Sequence, residues 1–150
     1  MTETAVCEQA KIVRLDASAS AESRSILFHA YRDEPTFKYL FDAKRTGYYQ
    51  RVRATLRELV DLHFAHNQDV IGLSVSNSLV GVALVGSPSV RLDLAEQINW
   101  RIRMMLTAGL SSTRRYIDYH QQVKSTLPGA EHHSLPLMGI KASHQRQGYG

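Results

Sequence analysis

The sequence predicts an α/β (α+β) domain in which a small sheet is flanked by helices. Three observations predict it. Short apolar runs bounded by turn residues, at 70–75, 79–85 and 137–140, have the length of strands. The stretch 48–66 instead repeats its apolar residues at helical spacing and is too long for a strand. The two kinds of segment alternate through 150 residues without an internal repeat, low-complexity tract or linker, so one domain covers 1–150.

In chain order, Lys11 to Leu15 reads as a strand. Asp16 to Ser20 is a small-residue turn able to cap the helix after it. Ile26, Leu27, Ala30 and Tyr31 repeat at helical spacing, and the helix stops before Pro35, where a bend leads into the aromatic cluster Phe37, Tyr39, Leu40 and Phe41. Gly47 precedes the clearest helix, whose stripe is Tyr49, Val52, Leu56, Leu59, Val60 and His63, with Arg51, Arg57 and Glu58 on its flanks and Asn67 as its stop. Val70 to Val75 and Leu79 to Val85 are strands joined at Ser76-Asn77-Ser78, a hairpin signal. The second is apolar on both faces and belongs inside the sheet. Two helices follow. The first, Leu92 to Leu106, carries Leu94, Ile98, Ile102 and Met105 in step; the second begins after Gly109 with Ser111 or Ser112 as cap and turns Tyr116, Ile117, His120 and Val123 to one side. Pro128-Gly129 ends it.

Composition narrows the class only partly. A chain 43% hydrophobic and 21% charged is ordinary for a soluble globular protein. A net charge of +4 suits anionic partners without choosing among a CoA-like cofactor, nucleic acid and an anionic membrane. Cys7 is the sole cysteine, which excludes an intrachain disulfide and fits a reducing compartment. Met1 to Cys7 lacks the basic and apolar regions of a signal peptide, and no apolar run approaches a membrane span. A cytoplasmic protein with no membrane partner is expected.

The chemistry concentrates in the last sixteen residues. An apolar strand ending at Ile140 turns through polar residues into Gln145-Arg146-Gln147-Gly148-Tyr149-Gly150. Two glycines one residue apart, directly after a strand, let successive backbone N–H groups point into one concavity that suits phosphate oxygens. Arg146 adds a charge for the same anion. By spacing alone such a pattern is common, and a plain surface turn explains it as well.

The wider segment, His132-His133-Ser134-Leu135-Pro136-Leu137-Met138-Gly139-Ile140 through to Gly150, resembles the strand-and-loop signature of the GCN5-related N-acetyltransferase (GNAT) superfamily. Gln145, Gly148 and Gly150 stand at its three defining positions; Ala142 stands where the family usually has proline. The resemblance covers nearly all of the chain from about Lys11. It implies a mixed, mainly antiparallel sheet with flanking helices, and it makes 87–130 a helical insertion of the kind found in one branch of the superfamily. The bend Glu34-Pro35 and the lead-in from His132 to Leu135 are similar to features of that branch. The family continues beyond the glycine loop with a helix, a further central strand and closing elements, whereas this chain stops at Gly150. The C-terminal part of the fold is therefore expected to be missing, leaving a sheet edge and apolar surface open, through which two copies can pair as a homodimer.

For function, the resemblance implies transfer of an acetyl group from acetyl-CoA to a primary amine by direct attack in a ternary complex, with no metal. The acceptor is a small-molecule amine or a protein N-terminus or lysine. The backbone of Met138, Gly139 and Ile140 matches the segment that pairs with the pantetheine amides; Gln145, Arg146, Gln147, Gly148, Tyr149 and Gly150 match the pyrophosphate loop. Met138 and Ile140 can also be core residues, since the implied contacts use main chain. Glu131 and His133, with His132 beside them, sit where a side chain can reach the amine, and they are the candidates for the catalytic base. A histidine near a surface loop is more often a bystander. Asp33 and Glu34 can recognise a cation or simply form a solvated helix end. His63 and His66 have metal-like spacing but no third ligand, so His63 reads as a core or rim residue.

Two rival readings exist. The helices from Trp100 to Val123, with Arg101, Arg103, Arg114 and Arg115, superficially suit a helix-turn-helix, but the flanking strands fit no common version of that module. The other rival is an inactive or partial acetyltransferase.

Overall fold

The computed structural model describes residues 9–127, 129 and 131–150; Cys7 lies outside them. Four strands form one sheet in the order β1 (Ala10–Arg14), β2 (Asp69–Val75), β3 (Ser78–Gly86), β4 (Ser134–Ile140), every neighbouring pair antiparallel. Among the described residues five α-helices accompany it: α1 (Ser20–Tyr31), α2 (Pro35–Leu40), α3 (Tyr48–Ala65), α4 (Leu94–Ala108) and α5 (Leu110–Thr126). The expected α/β class, antiparallel sheet and interior position of β3 are all present.

The sheet is two-sided in character. Strand alternation puts Val70, Gly72, Val82, Leu84, Leu137 and Gly139 on one face, and all six are buried. Helices α1 and α3 cover that face. The opposite face carries Ile12, Ile71, Leu73, Ala83 and Met138, which are half-buried or exposed, Ile12 to 78%. The β2–β3 hairpin closes through Ser76 and Asn77, both at positive φ (49° and 63°), as a two-residue turn matching the strand twist requires.

Three local expectations are corrected. Pro35 does not merely bend the chain; it opens α2. Glu34 caps that helix by accepting from the Phe37 N–H at 3.0 Å, and proline at the first helical position gives up only an N–H that would have no partner. The aromatic cluster thereby becomes the inner face of a helix, with Phe37, Leu40 and Phe41 in the core. Second, neither Ser111 nor Ser112 caps α5. Gly109, at φ 87°, both ends α4 and starts α5, so the turn between them is a single residue and Ser112 is buried one step inside. Third, the apolar row of α4 points outward: Leu94, Ile98, Ile102 and Met105 are exposed, while Met104 and Ala108 are the buried residues. Val123 of α5 is exposed too.

Glu58 also departs from its expected flank. It is 4% exposed, and its carboxylate accepts from Arg103 Nε at 2.9 Å, with Arg57 at 3.6 Å. This pair ties α4 to α3. The hairpin of α4 and α5 is further held by Tyr116, which stacks between Trp100 and Phe41, and by Arg115, which donates to the Tyr39 carbonyl and lies over its ring.

Candidate functional site

β4 forms the far edge of the sheet. The Lys141 N–H donates to the Val80 carbonyl at 2.7 Å, so alternation sends the N–H groups of Leu137, Gly139 and Lys141 to β3 and those of Met138 and Ile140 to the open edge. Pro136 shares that outward parity, and its missing N–H costs the sheet nothing there. The Met138 N–H donates to the Tyr31 hydroxyl at 3.1 Å. An edge with outward amides is a template for the amides of an extended ligand.

Beyond β4 the chain makes a short 3-10 turn, Ala142–His144, and then the loop 145–150. Arg146 (φ 62°) and Gly148 (φ 80°) both adopt the left-handed conformation, separated by Gln147. Left-handed residues in such a turn can direct neighbouring N–H groups toward one concavity, as in an anion nest. Two side-chain amides brace the loop: Gln145 Nε2 donates to the Ile140 carbonyl and Gln147 Nε2 to that of Ser143, at 3.0 and 3.1 Å. Tyr149 lies against His144, ring centroids 6.3 Å apart. No atom lies within 4 Å of where a Cβ would stand on Gly148 or Gly150. Gly148 is therefore favoured by its φ rather than by crowding, and a side chain there would enter open space.

A second feature was not read from the sequence. A cavity of about 240 Å³ lies between α2, α3, α5 and the start of β4. Its polar lining is Glu34, Thr36, His63, Tyr119 and His120, with Tyr31 at the boundary with Met138. Burial pushes the pKa of His63 down, the carbonyls of Val85 and Leu59 only partly offsetting it. His63 Nε2 is buried with no hydrogen-bond partner among the described residues. Burial, then Lys124, likewise lowers the pKa of His120, whose ring lies 4.3 Å from that of Tyr116. In both cases burial favours the neutral imidazole. The placement of His63 on an apolar stripe was legible; that α5 would bring His120 to the same cavity was not.

Glu131 and His133 lie in the exposed segment leading into β4, and among the described residues no hydrogen bond or ion pair holds either side chain. His66 turns away from His63 to Glu96, at 3.3 Å. Among the described residues no group of three or more His, Cys, Asp or Glu is arranged to hold a metal ion. Nor is any helix there long and apolar enough to cross a membrane. Two of the four arginines near the α4–α5 turn, Arg103 and Arg115, are engaged within the protein.

No family model matches the chain, and no curated protein matches it by sequence. A solved structure does. The crystal structure of histone acetyltransferase HPA2 and related acetyltransferase from Corynebacterium glutamicum superposes with a TM-score of 0.65 at 18% identity, over 94% of this chain and 65% of that one. The fold is GNAT-like. At that identity the likeness is one of architecture, and the chain spans about two thirds of its neighbour's length. Along the chain the outward amides of β4 and the loop 145–150 are separated only by Lys141 and the turn Ala142–His144.

Proposed function

We propose that the chain is an acetyl-CoA-dependent N-acetyltransferase of the GNAT superfamily, acting on a primary amine by direct attack in a ternary complex. The observation that carries this reading is the junction of an open strand edge with a left-handed glycine loop, set in a fold shared with a solved acetyltransferase. In it, the loop from Gln145 to Gly150 holds the pyrophosphate with main-chain N–H groups, and Arg146 supplies positive charge. The edge amides of Met138 and Ile140 pair with the pantetheine arm. A strand rises about 3.3 Å per residue, so the path from Lys141 back to Leu137 is roughly 13 Å of edge along which the arm lies. Its thioester end then faces Tyr31 and the cavity. Pre-oriented donors and excluded water do the catalytic work, and no covalent enzyme intermediate is needed.

Isothermal titration with acetyl-CoA tests the reading. Saturable binding is expected, weakened at least tenfold by Gly148→Val, because a β-branched residue is strained at φ 80° and shifts the loop's main-chain N–H groups from the positions the pyrophosphate needs. Since nothing packs against Gly148, the far-UV circular dichroism of the variant should be unchanged. Absence of binding by the parent chain would overturn the assignment. A second reading, an acetyltransferase fold without activity, is favoured by the bond from Met138 N to Tyr31, which occupies one of the two edge amides. Binding of acetyl-CoA without turnover of any amine would select it.

A further inference from the structure

The cavity bordered by β4 has no role in the pyrophosphate or pantetheine contacts, yet it adjoins them. Pro136 and Leu137 form part of its wall, and Tyr31 lines it while bonding to Met138. Apart from Glu34, Thr36 and the two histidines, its walls are aromatic and aliphatic, among them Phe37, Leu59 and Tyr116. We propose that this cavity is the acceptor site, that it takes a compact primary amine carried on an apolar body, and that the His120 imidazole takes the proton from the ammonium. The proposal rests on the acetyl-transfer reading for its reaction, though not for its pocket.

Size and lining decide the substrate class. At about 240 Å³ the space is below the roughly 300 Å³ at which pockets for drug-sized ligands begin, so a compact molecule fits and a bulky one does not. A single carboxylate, Glu34, offers a partner for one ammonium. Its Oε2 already caps α2, and Oε1 has no hydrogen-bond partner among the described residues. A polyamine would leave its further charges against apolar walls, which is costly. An arylalkylamine or short alkylamine satisfies both conditions.

His120 is the better-placed base. It is held by the ring of Tyr116 and by Tyr119, it faces the cavity, and no described hydrogen bond occupies its ring. The groups around it are Tyr116, Tyr119 and Lys124 on α5, Glu34 before α2, His63 on α3 and Tyr31 on α1. Glu131 and His133 have no comparable enclosure. In the reaction the ammonium gives one proton to His120, which passes it to solvent. The amine nitrogen then forms the C–N bond as the thioester C–S bond breaks, and the second nitrogen proton goes to the departing thiolate. The sum is ammonium plus acetyl-CoA giving amide, CoA thiol and one released proton.

The test uses 2-phenylethylamine and spermidine as probes on the chain labelled with 15N-histidine. Saturable shifts of the His63 and His120 imidazole signals are expected with 2-phenylethylamine, and none with spermidine. Leu59→Trp, which fills the cavity, should abolish those shifts while leaving acetyl-CoA binding intact. His120→Gln should keep amine binding within about threefold, lower kcat/KM about 100-fold and remove the acidic limb of its pH profile. Imidazole signals unmoved by 2-phenylethylamine, tighter binding of spermidine, or an unchanged pH profile in His120→Gln would each overturn the proposal. Loss of acetyl-CoA binding by the parent chain, with the amine shifts intact, would instead sink the acetyl-transfer reading and leave the pocket standing.

Discussion

Arg51 shows how much one side chain can organise. Its guanidinium donates to the carbonyls of Phe41, Thr46, Asp42 and Arg45, at 2.7 to 3.1 Å, and so gathers the loop between α2 and α3 around a single fork. A lysine cannot reproduce that planar set of donors. Arg51→Lys is expected to cost about 2 kcal/mol, measured by urea denaturation, because several carbonyls in the loop lose a charge-assisted bond together. From the sequence Arg51 reads as a flank residue; nothing in its spacing shows that a carbonyl-rich loop will fold back over it. The two cavity histidines have a separate signature. Their folded pKa values lie below the ordinary 6.5, so as pH falls the unfolded chain takes up protons first. Their contribution is thus fully retained above about pH 6.5 and is lost as pH drops through the folded values. Thermal melts of His63→Gln and the parent between pH 5 and 8 check this: the parent should lose more Tm than the variant on the acidic side, and parallel curves would contradict it.

Among the elements, α1 and β4 meet where Gly139 faces Ala30. A Cβ on Gly139 would stand 2.8 Å from Ala30 Cβ, a contact that only a shift of the helix can relieve. Gly139→Ala should therefore destabilise by about 2 kcal/mol. It should also weaken acetyl-CoA binding, because β4 is the strand whose edge the cofactor uses in the proposed reading. An unaltered urea midpoint would show that the helix yields freely. Elements were the most legible level of the sequence. The periodicity of 48–66, the hairpin and the closing strand each carry a local pattern strong enough to specify one conformation. Where the reading failed, the signal was double-edged. Glu34-Pro35 can end a helix or begin one, and only Glu34's capping bond decides. On α4, both Leu94, Ile98, Ile102, Met105 and the row containing Met104 and Ala108 have helical spacing; which row is inward depends on where α3 places Glu58. The glycine turn after β4 was legible because glycine spacing is local, whereas the cavity was not, since residues 34, 63 and 120 come together only through packing.

In the whole molecule these pieces form two blocks with different anchorage. The sheet with α1 and α3 is joined by strand ladders and a continuous apolar core. The α4–α5 hairpin is attached to that block by side chains alone: Met104, Ala108 and Tyr116 in the core with Trp100 against it, Arg115 on Tyr39, and the Glu58–Arg103 and His66–Glu96 pairs. Glu58 is 4% exposed whereas the Arg103 side chain is 54% exposed, so the pair is a buried carboxylate served from the surface. Removing the cation strands the carboxylate with only Arg57 at 3.6 Å. Arg103→Met is expected to cost about 2 kcal/mol, short of the full penalty for an isolated buried charge because Arg57 remains. The loss should be uneven: hydrogen exchange of the α4 and α5 amides should speed up well before that of β2 and β3. Because α5 carries Tyr116, Tyr119 and His120, the same variant should loosen the cavity and weaken amine binding while acetyl-CoA binding, which depends on β4 and its loop, holds. Uniform acceleration across both blocks would mean that the hairpin and the sheet unfold as one unit.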